Sequence, residues 1–387
     1  MSVLDYRTAG ESHGAAVVCL VEGMPAGLRV ESDRIDRELK RRQGGYGRGG
    51  RQRIEHDRVA FLSGLRNGVA MGSPIVMQIT NRDHRIDQAP AVHRPRPGHA
   101  DLAGSLKWLT TDCRETLERA SARETAGRTA AGALVRLLLS EFGIVCVGYV
   151  ARIGPAAAQI DEGMNADELA AHRDANDVYC PDSGVVDAMI AEIRQAKADG
   201  DTAGGVVEVR VFGCPPGLGS CFRWQDKLDG RLMQAVGSVQ AVKGVEIGLG
   251  FETAARRGSN VHDSIGFDAS LRDGPGLGFV RGSNRAGGLE GGMTNGQPVV
   301  LRAAMKPIST MMQGADSVNL VTKQPERSDY ERSDVCAVPA LSVIVENVVA
   351  FEIARVFLDK FGGDTLTEVR QSYESYLAAA RSLGDSP

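Results

Sequence analysis

The spacing of apolar and polar residues predicts several long helices. The longest helical patterns cover residues 114–142, 162–174, 183–199 and 338–361. In the first of them Ala122, Ala126 and Ala130 recur every four residues, so three small side chains share one face and let another helix approach closely. The first and the last of these helices are apolar on most faces. The pattern therefore predicts that both are buried.

Two segments of the chain resemble each other at an offset of 190 residues. Residues 14–28 and 204–218 are each a β-branched run that ends in Gly-x-Pro-x-Gly-Leu, which predicts a strand followed by a sharp turn. A helical stretch follows each of them, 32–43 with Ser32 as its cap in the first half and about 222–240 in the second. An Asn-Gly turn and a Pro-led apolar strand come later in each half. We interpret this as a duplicated architecture in which layers of sheet cover the buried helices.

The chain lacks a charged or Pro/Ser-rich linker that would divide it. We therefore expect residues 1–387 to form a single domain. Residues 155–200 are more variable in composition and are expected to be a peripheral excursion. Residues 376–387 are expected to be a frayed tail.

The overall composition is that of an ordinary soluble protein. Hydrophobic residues make up 42%, charged residues make up 24%, and the formal net charge of −4 gives no support for wholesale binding of nucleic acid or an anionic membrane. The seven cysteines contain no Cys-x-x-Cys pair and several lie in apolar runs, which is typical of reduced thiols. The sequence has no signal segment and no uncharged apolar run long enough to span a membrane. A cytoplasmic protein is expected.

Arginine is unusually abundant, with 37 residues against 8 lysines. A guanidinium group binds carboxylate and phosphate with a planar, two-pronged set of donors. A GC-rich coding sequence would explain part of this bias equally well, so position matters more than number. Six arginines lie within residues 41–58, around the glycine-rich loop 45–50, including Arg42 and Arg48. These positions favour a mobile lid that closes over anionic groups.

The same loop matches Gly-x-Gly-x-x-Gly, a pattern of dinucleotide-binding folds. It follows a helix rather than a strand, so the geometry of that fold is missing. An arginine-rich loop that binds RNA is a second interpretation, and a solvated loop is a third.

Two histidines lie in short, polar, glycine-flanked segments. His13 belongs to Thr8-Ala-Gly-Glu-Ser-His-Gly14 and His99 to Arg94-Pro-Arg-Pro-Gly-His-Ala-Asp101. Histidine suits proton transfer near neutral pH. Gly10-Glu-Ser-His-Gly14 also matches the nucleophile elbow of serine hydrolases, but only nine residues precede it and a strand, not the helix that an elbow needs, is predicted to follow it. We expect the turn to present His13, oriented by Glu11 or Ser12, although a merely structural histidine remains an alternative.

Other polar segments supply candidate ligand contacts. Arg119 with Ser121 is placed to hold an anion, and Lys306-Pro-Ile-Ser-Thr310 combines a cation with hydroxyl groups after a strand. Asp334 precedes the last buried helix, where it is either functional or simply a cap. His56, His84 and His262 lack the spacing of metal ligands, so no metal site is expected.

Taken together, these motifs resemble those of the chorismate synthase family. The resemblance runs from Thr8-Ala-Gly-Glu-Ser-His-Gly14 through the His99 and Ser121 segments and Gly-Gly-Met-Thr-Asn-Gly296 to Arg332-Ser-Asp-Val-Cys-Ala-Val-Pro339. It implies an α+β fold, a β-α-β sandwich with a helical core between two antiparallel sheets and an internal pseudo-duplication. It also implies a cytoplasmic homotetramer that acts on a small anionic substrate and binds neither nucleic acid nor membrane. The implied reaction is the anti 1,4-elimination of phosphate from 5-enolpyruvylshikimate 3-phosphate, with reduced FMN and no net redox change.

The resemblance also implies roles for particular residues. His13 would stabilise or protonate the departing phosphate, His99 would favour the reduced anionic flavin, and Asp334 would assist proton removal near the flavin's ring nitrogen. Arg42 and Arg48 match positions for a reduced nicotinamide nucleotide, NADPH being the candidate reductant, and are expected to touch substrate as well. The flavin-binding positions are Arg119, Ala120, Ser121, Gln240, Ala241, Gly291, Lys306, Pro307, Ile308, Ser309, Thr310 and Arg332.

His93 and the segment 311–316 depart from the family's pattern, which affects the expected loop shape rather than the chemistry. The flavin rests on the resemblance alone. From the residues themselves, an RNA-binding protein and a nicotinamide-dependent oxidoreductase remain as alternative functions.

Overall fold

The computed structural model describes residues 4–50, 54–329 and 333–384. Its first sheet is antiparallel and has the order β1-β2-β6-β3, where the strands are β1 (Asp5–Ala9), β2 (Ala16–Glu22), β3 (Ala60–Phe61) and β6 (Ile75–Thr80). Buried and half-buried residues alternate along β2, with Val17, Cys19 and Val21 on the buried side. This period of two is what a sheet with only one face on the core requires.

The second sheet is larger and also antiparallel. Its order is β10-β15-β9-β7-β8, with β7 (Val145–Ile153), β8 (Ala156–Ala157), β9 (Gly205–Phe212), β10 (Val242–Ile247) and β15 (Val299–Met305).

Two buried helices fill the space between the sheets. Helix α4 (Thr125–Ser140) packs on β2 and β6, α8 (Val338–Lys360) packs on β7 and β9, and the two helices pack against each other. They approach so closely at Gly132 that a Cβ atom there would lie 2.2 Å from the carbonyl oxygen of Asn347. Helix α1 (Ser32–Gln43) lies against both, and α7 (Leu228–Gly237) lies against α8 and β10. The predicted sandwich, with helices between two antiparallel sheets, is confirmed.

The internal repeat is visible in the order of the elements. When the short and peripheral elements are left out, the order along the chain is β1-β2-α1-β3-β6-α4 in the first half and β7-β9-α7-β10-β15-α8 in the second. The strand orders β1-β2-β6-β3 and β7-β9-β15-β10 correspond one to one. The resemblance of residues 14–28 and 204–218 therefore marks equivalent strands, and the predicted pseudo-duplication is confirmed.

The helix predicted over 114–142 is broken in the structure. Helix α3 (Arg114–Ala120) ends at Ser121, which is extended with ψ 145° and whose hydroxyl accepts a hydrogen bond from the backbone N–H of Arg123. A 3-10 turn, Ala122–Glu124, then leads into α4. Serine side chains compete for backbone groups in this way, which favours a cap over a continuous helix.

Smaller corrections concern element ends. The helix predicted over 222–240 is α7, preceded by a 3-10 turn at Trp224–Asp226, and α1 has Glu31 rather than Ser32 at its N-cap position. Helix α9 (Leu366–Arg381) was not predicted. Residues 376–381 are therefore helical, and Tyr376 donates a hydrogen bond to the carbonyl oxygen of Pro216 at 2.8 Å, which corrects the frayed tail expected from residue 376. Residues 385–387 lie outside the described residues.

The remaining elements are peripheral to the two sheets. Helices α5 (Ala166–Asp174) and α6 (Val186–Ala198) lie against β7, and α2 (Asp101–Trp108) lies against α3. The short strands are β4 (Leu65–Arg66), β5 (Val69–Ala70), β11 (Ile265–Phe267), β12 (Phe279–Arg281), β13 (Leu289–Glu290), β14 (Met293–Thr294), β16 (Asp316–Val318) and β17 (Pro325–Arg327). Within the described part of the chain, none of the helices combines the length and apolar composition that crossing a membrane would need.

Candidate active site

His13 lies in the loop between β1 and β2, and α3 orients its ring. Nδ1 of His13 lies 2.9 Å from Oε2 and 3.0 Å from Oε1 of Glu118, and the backbone N–H of His13 donates to Oε2 at 2.9 Å. The side chain of Asn81 holds the same loop by donating to the carbonyl oxygens of Glu11 and Gly14. The expectation that Glu11 or Ser12 orients His13 is wrong, since the partner of the ring is Glu118.

Glu118 is ionised at neutral pH although its side chain is only 1% exposed. Burial alone would raise the pKa of this carboxyl group. The hydrogen bonds from His13 and from Arg114 lower the pKa by more than burial raises it, so the pKa lies below its ordinary value. Nη1 of Arg114 donates to Oε1 at 3.0 Å from the preceding turn of α3. An ionised carboxylate is acceptor-only, so Nδ1 of His13 carries a proton. Sequence reasoning missed Glu118, for which the i,i+4 spacing of Arg114 and Glu118 was the only local signal.

His99 precedes α2 and pairs with the first residue of that helix. Nδ1 of His99 contacts Oδ1 of Asp101, whose side chain is fully buried. Arg96 clamps the same carboxylate through Nε at 2.8 Å and through its backbone N–H at 3.0 Å. Burial raises the pKa of Asp101, but the hydrogen bonds from His99 and Arg96 outweigh burial and hold it well below its usual range. An ionised Asp101 can only accept, so Nδ1 of His99 donates to it, and Nη2 of Arg96, which lies 3.1 Å from the same nitrogen, donates to Oδ1 of Asp101.

Residues 306–310 lie beside the His99 segment. Nη1 of Arg96 donates to the hydroxyl of Thr310 at 3.0 Å, and Nζ of Lys306 donates to the hydroxyl of Ser309 at 3.2 Å. A Cβ atom at Gly98 would lie 3.6 Å from Nζ of Lys306. The structure thus brings two segments together that are more than 200 residues apart in the chain.

Asp334 faces the glycine-rich loop. Its Oδ2 accepts a hydrogen bond from Nη1 of Arg48 at 2.7 Å, and its Oδ1 accepts one from the backbone N–H of Gly49 at 2.6 Å. Gly47 has φ +91°, and a Cβ atom there would lie 3.0 Å from Cβ of Cys336, so glycine is required at this close approach. The hydroxyl of Ser333 donates to the carbonyl oxygen of Thr310 at 3.0 Å, which connects Asp334 to the His99 segment.

The side chain of Arg42 is buried, and its guanidinium group is hydrogen-bonded within the protein. Its side chain is 5% exposed and donates to the hydroxyl of Thr125 at 3.0 Å, to the carbonyl oxygen of Ala122 at 2.9 Å and to Asp57 at 3.4 Å. Burial and the nearby cation of Arg123 outweigh Asp57 and lower the pKa of Arg42 to about 9, so it remains charged at neutral pH. Two arginines are predicted to touch nucleotide or substrate. Of these, Arg48 is the one with a buried donor, Nε, that has no partner among the described residues.

Several positions predicted to bind flavin form a continuous chain of contacts. Arg119 donates to the carbonyl oxygens of Thr8 at 2.8 Å and Gly10 at 2.9 Å, and Ser121, next to Ala120, donates to the hydroxyl of Ser12 at 3.2 Å. Glu124 accepts from the hydroxyl of Thr8 at 2.5 Å and from Nε2 of Gln240 at 3.1 Å. The carbonyl oxygen of Ala241 then accepts from the backbone N–H of Lys306 at 3.0 Å.

Gly291 is not among the residues that make these contacts. Gly291 is in the turn between β13 and β14, with φ +62°, where a Cβ atom would lie 4.0 Å from side-chain atoms of Cys221 and Met293. Arg332 lies outside the described residues. Across residues 4–50, 54–329 and 333–384, no group of three or more His, Cys, Asp or Glu side chains is arranged to hold a metal ion.

Three buried polar atoms of this region have no hydrogen-bond partner among the described residues. They are Nε of Arg48, Nη2 of Arg123 and Oε1 of Gln240. Arg123 is a further residue that sequence reasoning missed, and it otherwise donates to Asp57 and to Asn81 at 2.7 Å. A buried donor or acceptor without a partner costs about 1–3 kcal/mol, so these atoms favour a polar, partly anionic ligand.

The α+β sandwich thus carries two imidazoles that each contact a buried carboxylate, and buried guanidinium donors that have no partner among the described residues, an arrangement typical of an enzyme site. The model of the chorismate synthase family matches residues 4–358. The chorismate synthase of Desulforudis audaxviator is 54% identical over 391 residues, covering 98% of each chain, and that of Geobacter metallireducens is 50% identical over 395 residues, covering 98% of this chain. A crystal structure of a chorismate synthase superposes with a TM-score of 0.81 at 39% identity, covering 98% of each chain.

The chain therefore belongs to the chorismate synthase family, whose members are lyases. The resemblance to this family that the sequence motifs indicate is confirmed. These matches give no support to an RNA-binding protein or to a nicotinamide-dependent oxidoreductase.

Proposed function

We propose that this chain converts 5-enolpyruvylshikimate 3-phosphate into chorismate by anti 1,4-elimination. A ring C–H bond and the C–O bond to phosphate break, a new double bond forms, and phosphate leaves with the electron pair of its bond. The observation that carries the proposal is the pair of histidines whose Nδ1 atoms contact buried carboxylates, His13 with Glu118 at 2.9 Å and His99 with Asp101. Such pairing fixes the tautomer and the orientation that proton transfer needs.

The substrate's phosphate and two carboxylates need cationic donors. Nε of Arg48 and Nη2 of Arg123 are buried donors without partners among the described residues. Guanidinium groups bind such oxygens with charge-assisted hydrogen bonds, which are stronger than neutral ones. We assign both arginines to substrate binding, with Arg42 supporting Arg123 through Asp57.

The residues present fit reduced FMN. Oε1 of Gln240 is a buried acceptor without a partner among the described residues, which suits a ring N–H. Burial, and then the ammonium group of Lys243, lowers the pKa of Lys306, so a phosphate beside both lysines would offset their repulsion. We assign Gln240, Ala241, residues 306–310 and residues 119–121 to its binding, and Gly291 and Arg332 by resemblance. When bound, the reduced flavin supplies electron density to the elimination and recovers it.

The proton steps fall to three residues. His13 donates a proton from Nε2 to the departing phosphate and keeps the proton at Nδ1, which Glu118 accepts. His99 stabilises the reduced anionic cofactor, and Asp334 assists removal of the ring proton. Asp334 is held for this role by Nη1 of Arg48 at 2.7 Å and by the backbone N–H of Gly49 at 2.6 Å.

We further propose a cytoplasmic homotetramer that uses NADPH as the reductant for its flavin. Exposed aromatic side chains along residues 251–279, namely Phe251, Phe267 and Phe279, support association. All seven cysteines are free thiols and six of them are buried, which supports a reducing compartment.

An anaerobic assay of the full chain tests the function. With photoreduced FMN, we expect phosphate and chorismate to form in equal amounts, and we expect neither product with oxidised FMN. Absence of both products under reducing conditions would overturn the proposal. Omitting photoreduction and adding NADPH would then show whether the chain reduces its own flavin.

A further inference from the structure

Glu118 holds both the ring and the backbone of the His13 loop. Its carboxylate accepts from Nδ1 of His13 at 2.9 Å and from the backbone N–H of His13 at 2.9 Å. Its backbone carbonyl oxygen accepts from the N–H of Ser12, also at 2.9 Å. Because helix α3 carries Glu118, the position of the catalytic imidazole is set by a rigid element rather than by the loop itself.

Among the described residues, the other charged groups near His13 interact with it less directly. Asp83 approaches the opposite ring nitrogen, with its Oδ2 3.9 Å from Nε2, and is itself paired with Nε of Arg85 at 3.3 Å. Arg114 is linked to His13 through Glu118, and Glu11 belongs to the same loop. The side chain of Asp83 is 25% exposed against 1% for Glu118, so solvent screens Asp83 more strongly.

The His99 segment repeats this arrangement with different residues. Asp101 takes the place of Glu118, and Arg96 takes the place of Arg114 as the guanidinium that clamps the carboxylate. Each histidine thus has a buried carboxylate at Nδ1, and each carboxylate has an arginine. Two unrelated stretches of chain that build the same three-residue unit indicate a functional requirement at both histidines.

We propose that Glu118 is the positioning residue of His13, fixing the imidazole with its neutral-state proton on Nδ1 so that Nε2 exchanges a proton with the departing phosphate. This inference rests on the role of His13 in the proposed function. The imidazolium donates its Nε2 proton to a phosphate oxygen, and the neutral ring that remains carries its proton on Nδ1, where Glu118 accepts it. Solvent returns a proton to Nε2 after phosphate leaves.

The tautomer of His13 tests the pairing without any assay of activity. In the full-length chain labelled with 15N-histidine, the His13 resonances are assigned by their loss in His13→Gln. We expect the neutral wild-type ring to carry its proton on Nδ1. In Glu118→Gln we expect the proton to move at least partly to Nε2, while the His99 resonances stay in place and report an intact fold.

The reaction rate then tests the consequence. We expect Glu118→Gln to lower kcat by about 10- to 10⁴-fold, the range found when a residue that orients a ligating or catalytic histidine is replaced, with KM changed less than about 3-fold. Glu118→Asp keeps the carboxylate and should restore part of the lost rate. Glu115→Gln is the matched control, since it removes the same charge from an exposed position of α3 and should leave both readouts unchanged.

Each alternative result is decisive. A wild-type ring protonated on Nε2, an Nδ1 tautomer retained in Glu118→Gln, or an unchanged kcat in that variant would each overturn the role of Glu118. Wild-type phosphate release by His13→Gln would instead overturn the catalytic role of His13. The wild-type tautomer separates these failures, because it does not depend on turnover.

Discussion

Nη1 of Arg48 donates a hydrogen bond to Oδ2 of Asp334 at 2.7 Å and so ties the glycine-rich loop to the segment that enters α8. The backbone N–H of Gly49 occupies the other carboxylate oxygen at 2.6 Å. Asp334 therefore acts between two segments 285 residues apart rather than as a simple helix cap. Because Nη1 is used in this way while Nε has no partner among the described residues, Arg48 can hold Asp334 and a ligand at once.

We predict that Arg48→Ala weakens binding of the anionic substrate about 10- to 100-fold, the loss expected for one charge-assisted hydrogen bond. Equilibrium titration of the full chain with substrate and oxidised FMN measures the change in Kd. Arg37→Ala removes an exposed arginine of α1 and serves as the control. Unchanged affinity in Arg48→Ala would mean that this loop is solvated surface.

Arg42 should behave differently although it lies only six residues away. Its guanidinium donates three hydrogen bonds inside the protein, so Arg42→Met leaves Asp57 less well paired in a buried site. We predict a loss of about 3 kcal/mol in the free energy of unfolding and a small change in substrate affinity. Urea unfolding measures the first quantity and ligand titration the second. A stable variant with strongly weakened binding would return Arg42 to the ligand site.

The sequence predicted the strands and helices whose apolar residues follow a clear pattern. The β-branched run within residues 14–28 predicts the strand β2, and the apolar pattern over 338–361 predicts α8, whose bounds match the structure closely. The two Gly-x-Pro-x-Gly-Leu turns predict equivalent strands because both end a central strand of a sheet. Chemical types and local motifs likewise point to His13, His99 and Asp334.

Long-range partners were not predictable in the same way. Glu118 lies 105 residues from His13, and nothing in the spacing of α3 shows which face meets the loop. The break at Ser121 depends on a hydroxyl that either caps a turn or lies on a continuous helix, and local sequence allows both. Arg42 and Arg48 have similar sequence contexts and both are largely buried, so only their hydrogen-bond partners tell them apart.

His13→Ala should preserve the fold and slow phosphate release by about 10²-fold or more, the scale of a general acid's contribution. The fold should persist because two hydrogen bonds of the loop do not involve the His13 side chain. The backbone N–H of Ser12 donates to the carbonyl oxygen of Glu118, and the side chain of Asn81 donates to the carbonyl oxygen of Gly14. Rapid-quench measurement of phosphate under single-turnover conditions isolates this step, and circular dichroism checks the fold. Phosphate release close to the wild-type rate would remove His13 from the mechanism.

A buried ion network between the helices predicts how the fold responds to acid. Glu38 of α1 accepts hydrogen bonds from Arg41, and Nη1 of Arg136 on α4 lies 2.9 Å from its Oε2. Burial alone would raise the pKa of Glu38. The charges of Arg136 and Arg41 lower it by more than burial raises it, so the pKa falls from the ordinary 4.5 to about 2. A carboxyl group with a lowered pKa in the folded state stabilises the protein fully above its unfolded-state pKa. That stabilisation is lost as the pH falls towards the folded-state pKa.

We therefore predict that Glu38→Gln lowers the free energy of unfolding at pH 7 by about 3 kcal/mol, the order of magnitude that such a pKa difference represents. The gap between wild type and variant should shrink as the pH falls from about 4.5 to about 2, because protonation neutralises the wild-type carboxylate over that range. Urea unfolding at a series of pH values measures it, with Asp33→Asn, an exposed position of the same helix, as the control. Asp101 and Glu118 also have lowered pKa values, and they contribute to the acid sensitivity of the wild type and of Glu38→Gln alike. Only the difference in stability between wild type and variant therefore isolates Glu38. A gap that stays constant with pH would show that Glu38 stabilises the core through packing alone.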